Sequence, residues 1–482
     1  MRRITALLLA ILLLAALSGC WPESSPSTEV SVPVVSVPVP TAPSIPESSL
    51  PPASAETGPS TEPAVPETAP APSESAVTEE TQPVEETEAP LSLEEAVERY
   101  QLTALGYEPV DREAETFPGS LPAPRYTQGP DGIWRSGGDD GEAVIMVTGD
   151  LMCQTKQQLA YRTETGYDFR AGFDYVRPIF ADADLVIGNL EATLSESAPY
   201  MAEQDSVEDR PHLNAPATWL EAIRDAGFDM VTMANNHNCD AGVRGIFDTL
   251  DRVEEYGLIH TGTFRGEQTP RFTVVDVDGI RIGVLSYATY FNHKDEHLTD
   301  EGCQALLNRY SKKAAVRDTA AARSAGAEFV IVCIHWGKEY TNEPNDTQYR
   351  IAQELADAGA DYIIGSHPHA LQPYDLVTAA DGREVPVVYS MGNFISHQYR
   401  VVCKDTLILR LALRRDETGA VSLAEQGYIP CRVFQSFRDA AYVVIPVVRP
   451  YNQGLSSQYF HPAYERITGI LGPKLPVLGK ES

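Results

Sequence analysis

Short apolar, β-branched runs alternate along the middle of the chain with stretches whose apolar positions recur every three to four residues. The runs Ala143–Thr148, Leu185–Ile187, Met230–Met233, Phe329–Ile334 and Tyr362–Ile364 predict strands. Helical spacing between them predicts helices around Ala217–Ala226, Val243–Tyr256, Lys313–Ala325 and Thr347–Ala358. This alternation is the pattern of βαβ units and a largely parallel sheet. Two hairpins interrupt it, turning at Asp278-Gly279 and Asp381-Gly382, and a strand-rich tract runs from Thr406 to about Val447. The mixture points to two packed sheets with helices outside. Upstream, Ser92-Leu93-Glu94-Glu95 reads as a capping box opening a helix, and residues 108–141 are Pro/Gly-rich and loop-like.

Each of the five strands ends in a polar cluster. They read Gly149-Asp150, Asn189-Leu190-Glu191, Asn235-Asn236-His237 with Asp240, His335-Trp336-Gly337-Lys338-Glu339-Tyr340, and Ser366-His367-Pro368-His369. Ligands of open α/β sheets gather outside the carboxyl ends of the strands, so these tips are expected to converge. Carboxylates, an amide and imidazoles from separate tips suit one or two divalent cations, and Mn, Zn or Fe fit a mixed N/O donor set. Calcium, which prefers oxygen throughout, fits poorly. With such a cation, water becomes a nucleophile near neutral pH, and a non-ligating imidazole can serve the leaving group. Taken singly, each residue has a bland reading: Asp150 as a helix cap, Asn235-Asn236 as turn residues, any one His as a satisfied side chain. Their joint occurrence at five strand ends carries the inference. His212, His260, His293, His297, His397 and His461 have no such pattern.

Composition changes the picture at the N-terminus. Met1-Arg2-Arg3 is followed by an apolar run, Ile4 to Leu17, too short to cross a bilayer but of the proportions of an export signal. Leu17-Ser18-Gly19-Cys20 resembles the lipobox of bacterial lipoproteins, which implies lipidation at Cys20, export, and attachment to the outer face of the cell membrane. Residues 21–90 hold 16 of the 36 prolines and 12 glutamates, without Lys or Arg, and are expected to be a disordered tether. The formal net charge is −31; setting aside those glutamates and Arg2 and Arg3 leaves −21 for residues 91–482. Such an excess of acid argues against nucleic acid as a partner. The six cysteines after Cys20 are scattered, so they frame no disulfide-rich module. Cys333 reads as a buried thiol, and Cys153 and Cys239 stand beside site motifs, where a bridge or a soft metal ligand is open.

The words Gly149-Asp150-Leu151-Met152, Gly188-Asn189-Leu190-Glu191, Asn235-Asn236-His237 with Asp240 and Gly242, and His335-Trp336-Gly337 with Glu339-Tyr340 resemble the CapA family of poly-γ-glutamate capsule synthesis proteins. Pro344, Gln348, His367-Pro368-His369 and Tyr389-Ser390-Met391-Gly392-Asn393-Phe394 follow in the same order, so the resemblance covers about residues 143–396. It implies an αββα four-layer sandwich of the metallophosphoesterase-like type, with a divalent-metal cleft at the strand tips. Carried over, Asp150, Glu191, Asn236, His335, His367 and His369 are metal-ligand candidates, and His237 and Asp240 are catalytic candidates, His237 facing the substrate. Asn189, Asn235, Trp336, Glu339, Tyr340 and Asn393 are substrate-pocket candidates. Two departures from the wider phosphoesterase pattern stand out. Asp150-Leu151-Met152 replaces Asp-x-His, and Asn189 stands where an aspartate bridges two metals. Either Glu191 takes the bridging role or the site holds one metal.

The expected organisation is therefore a lipoprotein signal (1–20), a tether (21–90), a short helix and connecting loop (91–140), a CapA-like domain (141–450) and a C-terminal tail (451–482). Two functions follow. One is a surface-tethered, metal-dependent hydrolase or transferase acting on a phosphate ester or amide in envelope or capsule polymers. The other is a non-catalytic accessory that works with capsule polymer or its synthesis machinery. A structural lipoprotein that has lost its metal is a third.

Overall fold

Strand parity sorts the apolar residues of this chain into three cores. The computed structural model describes residues 90–103, 105–107, 120–204, 212–436 and 441–481; the expected signal and nearly all of the tether lie outside them. In chain order the strands are β1 (Thr127–Gln128), β2 (Trp134–Arg135), β3 (Glu142–Leu151), β4 (Leu185–Leu190), β5 (Met230–Thr232) and β6 (Ile259–Thr261). They continue with β7 (Thr273–Val277), β8 (Ile280–Ala288), β9 (Phe329–His335), β10 (Tyr362–Ser366), β11 (Leu371–Thr378) and β12 (Glu384–Met391). The last are β13 (Asn393–Ile395), β14 (Asp405–Arg415), β15 (Val421–Gln435), β16 (Tyr442–Pro446), β17 (Val448–Arg449) and β18 (Lys480–Glu481).

Two large sheets result. One has the order β1-β2-β7-β8-β9-β10-β12-β11, the other β16-β15-β14-β3-β4-β5-β6 with β13 also on β3. Each has a parallel centre, β8-β9-β10-β12 and β3-β4-β5-β6, flanked by antiparallel strands. Ile145 and Val147 of β3 and Ile187 of β4 share one buried core with Ile282 and Val284 of β8 and Ile331 of β9, so the sheets pack face to face. The opposite faces pack on helices. Met146, Val186 and Val231 meet Trp219, Ile223, Ile246 and Leu250 of the helices Thr218–Ala226 and Gly242–Glu255. Leu285, Val330 and Val332 meet Ala315, Ala322, Ile351 and Leu355 of the helices Lys312–Ser324 and Asp346–Asp357. The layers are αββα, as expected.

The structure departs from expectation in three places. The sheets are mixed rather than largely parallel, because both hairpins and the Thr406–Val447 tract join them as antiparallel flanks. The connecting segment 91–140 carries β1 and β2, which extend the first sheet through β7. Residues 451–482 are no loose tail: the helix Phe460–Leu471 aligns Phe460, Ala463, Ile467 and Leu471 on one face and buries them in the inter-sheet core. β18 then pairs with β17. The capping box at Ser92 is present, with Glu95 N 3.2 Å from Ser92 Oγ and Ser92 N 2.8 Å from Glu95 Oε2.

Candidate metal centre

Residues two apart on a strand share a face, and here that face leads into the gap between the sheets. In β4, Leu185 and Ile187 line the inter-sheet core, so Asn189, and Glu191 just past the strand, point the same way. In β9, Ile331 and Cys333 do so, which delivers His335. In β10, Tyr362 and Ile364 deliver Ser366. Asp150 reaches the same side by a bulge: Val147 pairs with Ile187 and Asp150 with Asn189, three steps on β3 against two on β4. Gly149 permits this, since a Cβ there would lie 1.9 Å from Gly392 O. The loop after β10 adds His367 and His369, both with positive φ, 96° and 55°, unusual for non-glycine residues and typical of sites whose surroundings hold them in place.

The five tips converge. One nitrogen or oxygen from each of Asp150, Glu191 and His335 lies within 4.8 Å of the others, and the same holds for Glu191, His367 and His369, so two triads share Glu191. Glu191 Oε1 stands 3.8 Å from His335 Nε2, 3.9 Å from His369 Nε2 and 3.7 Å from His237 Nε2. All of these side chains are buried, and Asp150 and Glu191 are fully so. Asp150 Oδ2 and both Glu191 oxygens accept no hydrogen bond. Among the described residues no Lys or Arg forms an ion pair with either. Two buried carboxylates without a counter-ion are costly unless a cation joins them, and the donor set around them suits one. Burial and the neighbouring Asp150 push the Glu191 carboxyl well above its ordinary range. Burial first, and neighbouring imidazoles second, hold His335 and His367 well below theirs, leaving neutral rings with lone pairs to offer.

The surrounding hydrogen bonds aim those lone pairs. The Asn393 amide donates to Ser396 Oγ (3.0 Å), so its oxygen accepts from His369 Nδ1 (2.8 Å) and leaves His369 Nε2 facing Glu191. Ser366 Oγ lies 2.9 Å from His335 Nδ1. Tyr290 Oη contacts His367 Nε2, so His367 Nδ1 faces inward, 3.1 Å from His335 Nε2. Asn236 Oδ1 is 2.8 Å from His335 Nε2, and its amide donates to Asn292 (3.1 Å). Such partners fix tautomer and ring orientation at metal sites.

His237 and Asp240 form a dyad beside the cluster. Asp240 Oδ2 accepts from Leu213 N and lies 2.6 Å from His237 Nδ1, while Lys294 Nζ is 2.9 Å from Oδ1. Burial works against ionisation of Asp240, yet His237 and Lys294 hold its carboxyl below the usual value. As an acceptor it requires the proton on His237 Nδ1, which turns Nε2 toward Glu191.

Three of the pocket candidates lie elsewhere than expected. Trp336 follows His335 by one residue, so it faces the outer core, fully buried, with Nε1 donating to Tyr389 O at 2.8 Å. The Asn235 side chain is buried and holds the loop, donating to Leu190 O (2.8 Å) and accepting from His237 N (3.0 Å). Asn393 orients His369 rather than lining a pocket. Asn189 donates to Asp150 Oδ1 at 2.8 Å. Glu339 is part-exposed, 3.8 Å from His369 Nε2, and the Tyr340 ring lies 5.8 Å from that of His369. Cys153 and Cys239 are buried and join no disulfide among the described residues. Tyr290, Asn292 and Lys294 are additions. They sit on a sixth tip, that of β8, which runs parallel to β9; the hairpin signal at Asp278-Gly279 marked β8 as an arm of a turn and hid its direction.

Comparison with known proteins places the chain in a family. Residues 144–398 match the family described as bacterial capsule synthesis protein PGA_cap. The chain is 28% identical over 295 residues to the capsule biosynthesis protein CapA of Bacillus anthracis, covering 59% of this chain and 67% of that protein. It is 29% identical over 253 residues to the PGA biosynthesis protein CapA of Bacillus subtilis, covering 51% and 62%. The chain thus spans about two thirds or less of the length of these relatives. Solved structures resembling it include the NAD nucleotidase of Haemophilus influenzae (TM-score 0.37, 11% identity, 71% of this chain and 65% of that one). Another is the calcineurin-like phosphoesterase YfkN of Bacillus subtilis (TM-score 0.36, 14% identity, 68% and 97%). Both likenesses are remote. The match over 144–398 takes in more than half of the chain and every residue of the buried carboxylate–imidazole cluster: this protein belongs to the bacterial capsule synthesis protein family.

Proposed function

We propose that the protein is a divalent-metal-dependent hydrolase or transferase acting on a phosphate ester or amide in capsule or envelope polymer metabolism, held at the outer face of the cell membrane by lipid on Cys20. The observation that carries this reading is the pair of buried carboxylates, Asp150 and Glu191, whose three unpartnered oxygens face three inward-aimed imidazoles. Asp150, Glu191, Asn236, His335, His367 and His369 would hold the metal, with Glu191 shared between two positions or serving one. A bound cation would polarise a substrate oxygen and lower the pKa of water. The chain's own part is acid–base work. Asp240 keeps the His237 proton on Nδ1, and Nε2 exchanges a proton with the group entering or leaving beside Glu191.

The test is chelation followed by reloading with Mn, Zn or Fe, read as metal per chain and as turnover of bis-p-nitrophenyl phosphate and a γ-glutamyl amide. About one or two equivalents of metal, and turnover that disappears on chelation and returns on reloading, are expected. A chain that takes up no metal, or turnover indifferent to chelator, overturns the proposal.

One feature favours the accessory reading. An uncharged amide, Asn189, stands against Asp150 where a carboxylate would bridge two metals. A relative from Mycobacterium tuberculosis, 27% identical over 223 residues, is named a probable polyglutamine synthesis accessory protein. In that case His335→Ala restores polymer export to a deletion strain; loss of export with His335→Ala returns the weight to catalysis.

A further inference from the structure

The cluster is acidic and so is the chain, yet one arginine, a single aromatic ring away from His369, is uncommitted. The Arg400 guanidinium carbon lies 4.1 Å from the centroid of the Tyr340 ring, the ring that neighbours His369. Arg400 is exposed, and among the described residues its guanidinium has no hydrogen bond or ion pair. That is unusual here. Arg125, Arg135, Arg170, Arg177, Arg252 and Arg265 each pair with a carboxylate. A guanidinium resting on an aromatic face keeps its edge N–H groups free, and that edge matches two oxygens of a carboxylate or phosphate. Tyr340 has a backbone φ of 64°. Tyr399 and Val401, 80% and 53% exposed, flank Arg400 in the chain and present apolar surface beside it.

We infer that Arg400, stacked on Tyr340, is a specificity-determining residue that grips an anionic group of the substrate next to the bond reacting at the cluster. The inference rests on the metal-site reading above and names what that site selects: a substrate with a carboxylate or phosphate beside the reacting bond. The physical need is plain. Part-exposed Glu339 beside His369 and the acidic chain as a whole repel an approaching anion, and the Arg400 cation offsets that repulsion while setting the register of the substrate.

The experiment titrates metal-reloaded full-length protein with three probes: a labelled γ-linked glutamate decamer, the same decamer with its free carboxylates amidated, and inorganic phosphate. Arg400→Gln is expected to weaken an anionic probe about tenfold or more, with Arg400→Lys intermediate because a point charge lacks the two-pronged edge. The amidated decamer should bind weakly and equally to all variants. Arg350→Gln, an exposed arginine on the outer helix Asp346–Asp357, controls for the loss of one charge and should leave all probes unchanged. An effect confined to the decamer identifies a carboxylate as the gripped group, and one confined to phosphate identifies a phosphate. Equal affinity of wild type and Arg400→Gln for both anions overturns the inference. So does an equal loss with Arg350→Gln. Metal per chain is measured on the same samples, so a failure of the metal reading shows as absent metal in wild type, separately from any effect of Arg400.

Discussion

Single side chains here do opposed things for stability and for chemistry. Glu191 is buried beside Asp150 without a cation of the chain to offset it. Glu191→Gln keeps the shape and removes the conflict, so in chelator the variant should melt higher than wild type, by about 1–3 kcal/mol of stability. Added Mn or Zn should then raise the melting temperature of wild type and leave the variant unmoved, since a ligand stabilises only what it binds. Thermal melts with and without metal check both halves; a variant that melts lower in chelator contradicts the argument. In the proposed reaction Asp240 acts through His237, whose Nδ1 it contacts. Asp240→Asn can donate to His237 Nδ1 rather than accept from it, which reverses the tautomer and removes the proton from its useful place. Turnover should fall by about 10²–10⁴ with metal content unchanged. A loss of metal in that variant would instead make Asp240 part of the metal's support.

At the scale of elements, position in the layers decides what a segment is worth. The helix Phe460–Leu471 is amphipathic in sequence but follows the strand tract, and its apolar face fills the inter-sheet core beside β11, β14 and β15. Ile467→Ala should therefore cost about 2–5 kcal/mol, the range for a buried aliphatic truncation, and a chain ended at residue 450 should not fold. Denaturant unfolding of the variant checks the first; a loss below 1 kcal/mol would mean that the helix merely rests on the surface. The helix Gly242–Glu255 is tied at its end to β6 and the segment after it. Glu254 Oε2 lies 2.7 Å from Arg265, and Oε1 is 3.3 Å from His260. Burial opposes ionisation of Glu254, but His260 and Arg265 hold its carboxyl down to about 2 against an ordinary 4.5. A depressed carboxylate contributes stability that is complete above its unfolded pKa and lost as pH falls through the folded one. Glu254→Gln should lower the melting temperature modestly above about pH 5, the pair being part-exposed, and the gap should close between about pH 4.5 and 2. A gap that persists at pH 2 would point to packing rather than charge.

At the scale of the whole molecule, an acidic folded part of −21 is joined to a proline- and glutamate-rich segment that begins after Cys20. A chain of this charge gains nothing from an anionic bilayer surface, so the membrane attachment proposed above would depend on acyl chains. Cys20→Ala should release the protein from the membrane fraction or block its maturation, read by fractionation and by the mass of the mature N-terminus. Unchanged membrane retention would exclude the lipid anchor.

Much of this was legible along the chain. Five strands, four helices, both hairpins and the polar tips follow from local periodicity, because a strand or helix must show one apolar face wherever it is packed. The ligand types could be read off for the same reason: ligand chemistry is a property of the side chain itself. What remained hidden depended on neighbours far away in sequence. Nothing local says that a bulge against β4 returns Asp150 to the inter-sheet face, or that one step past His335 turns Trp336 into the outer core. Nor is it local that β8 lies parallel to β9 and so brings Tyr290 to His367, or that the last helix closes the gap between the sheets. Local pattern determines which groups a segment can present. Register and direction against its partners determine where they point, and those are set by hydrogen bonds and burial that exist only once the sheets have assembled.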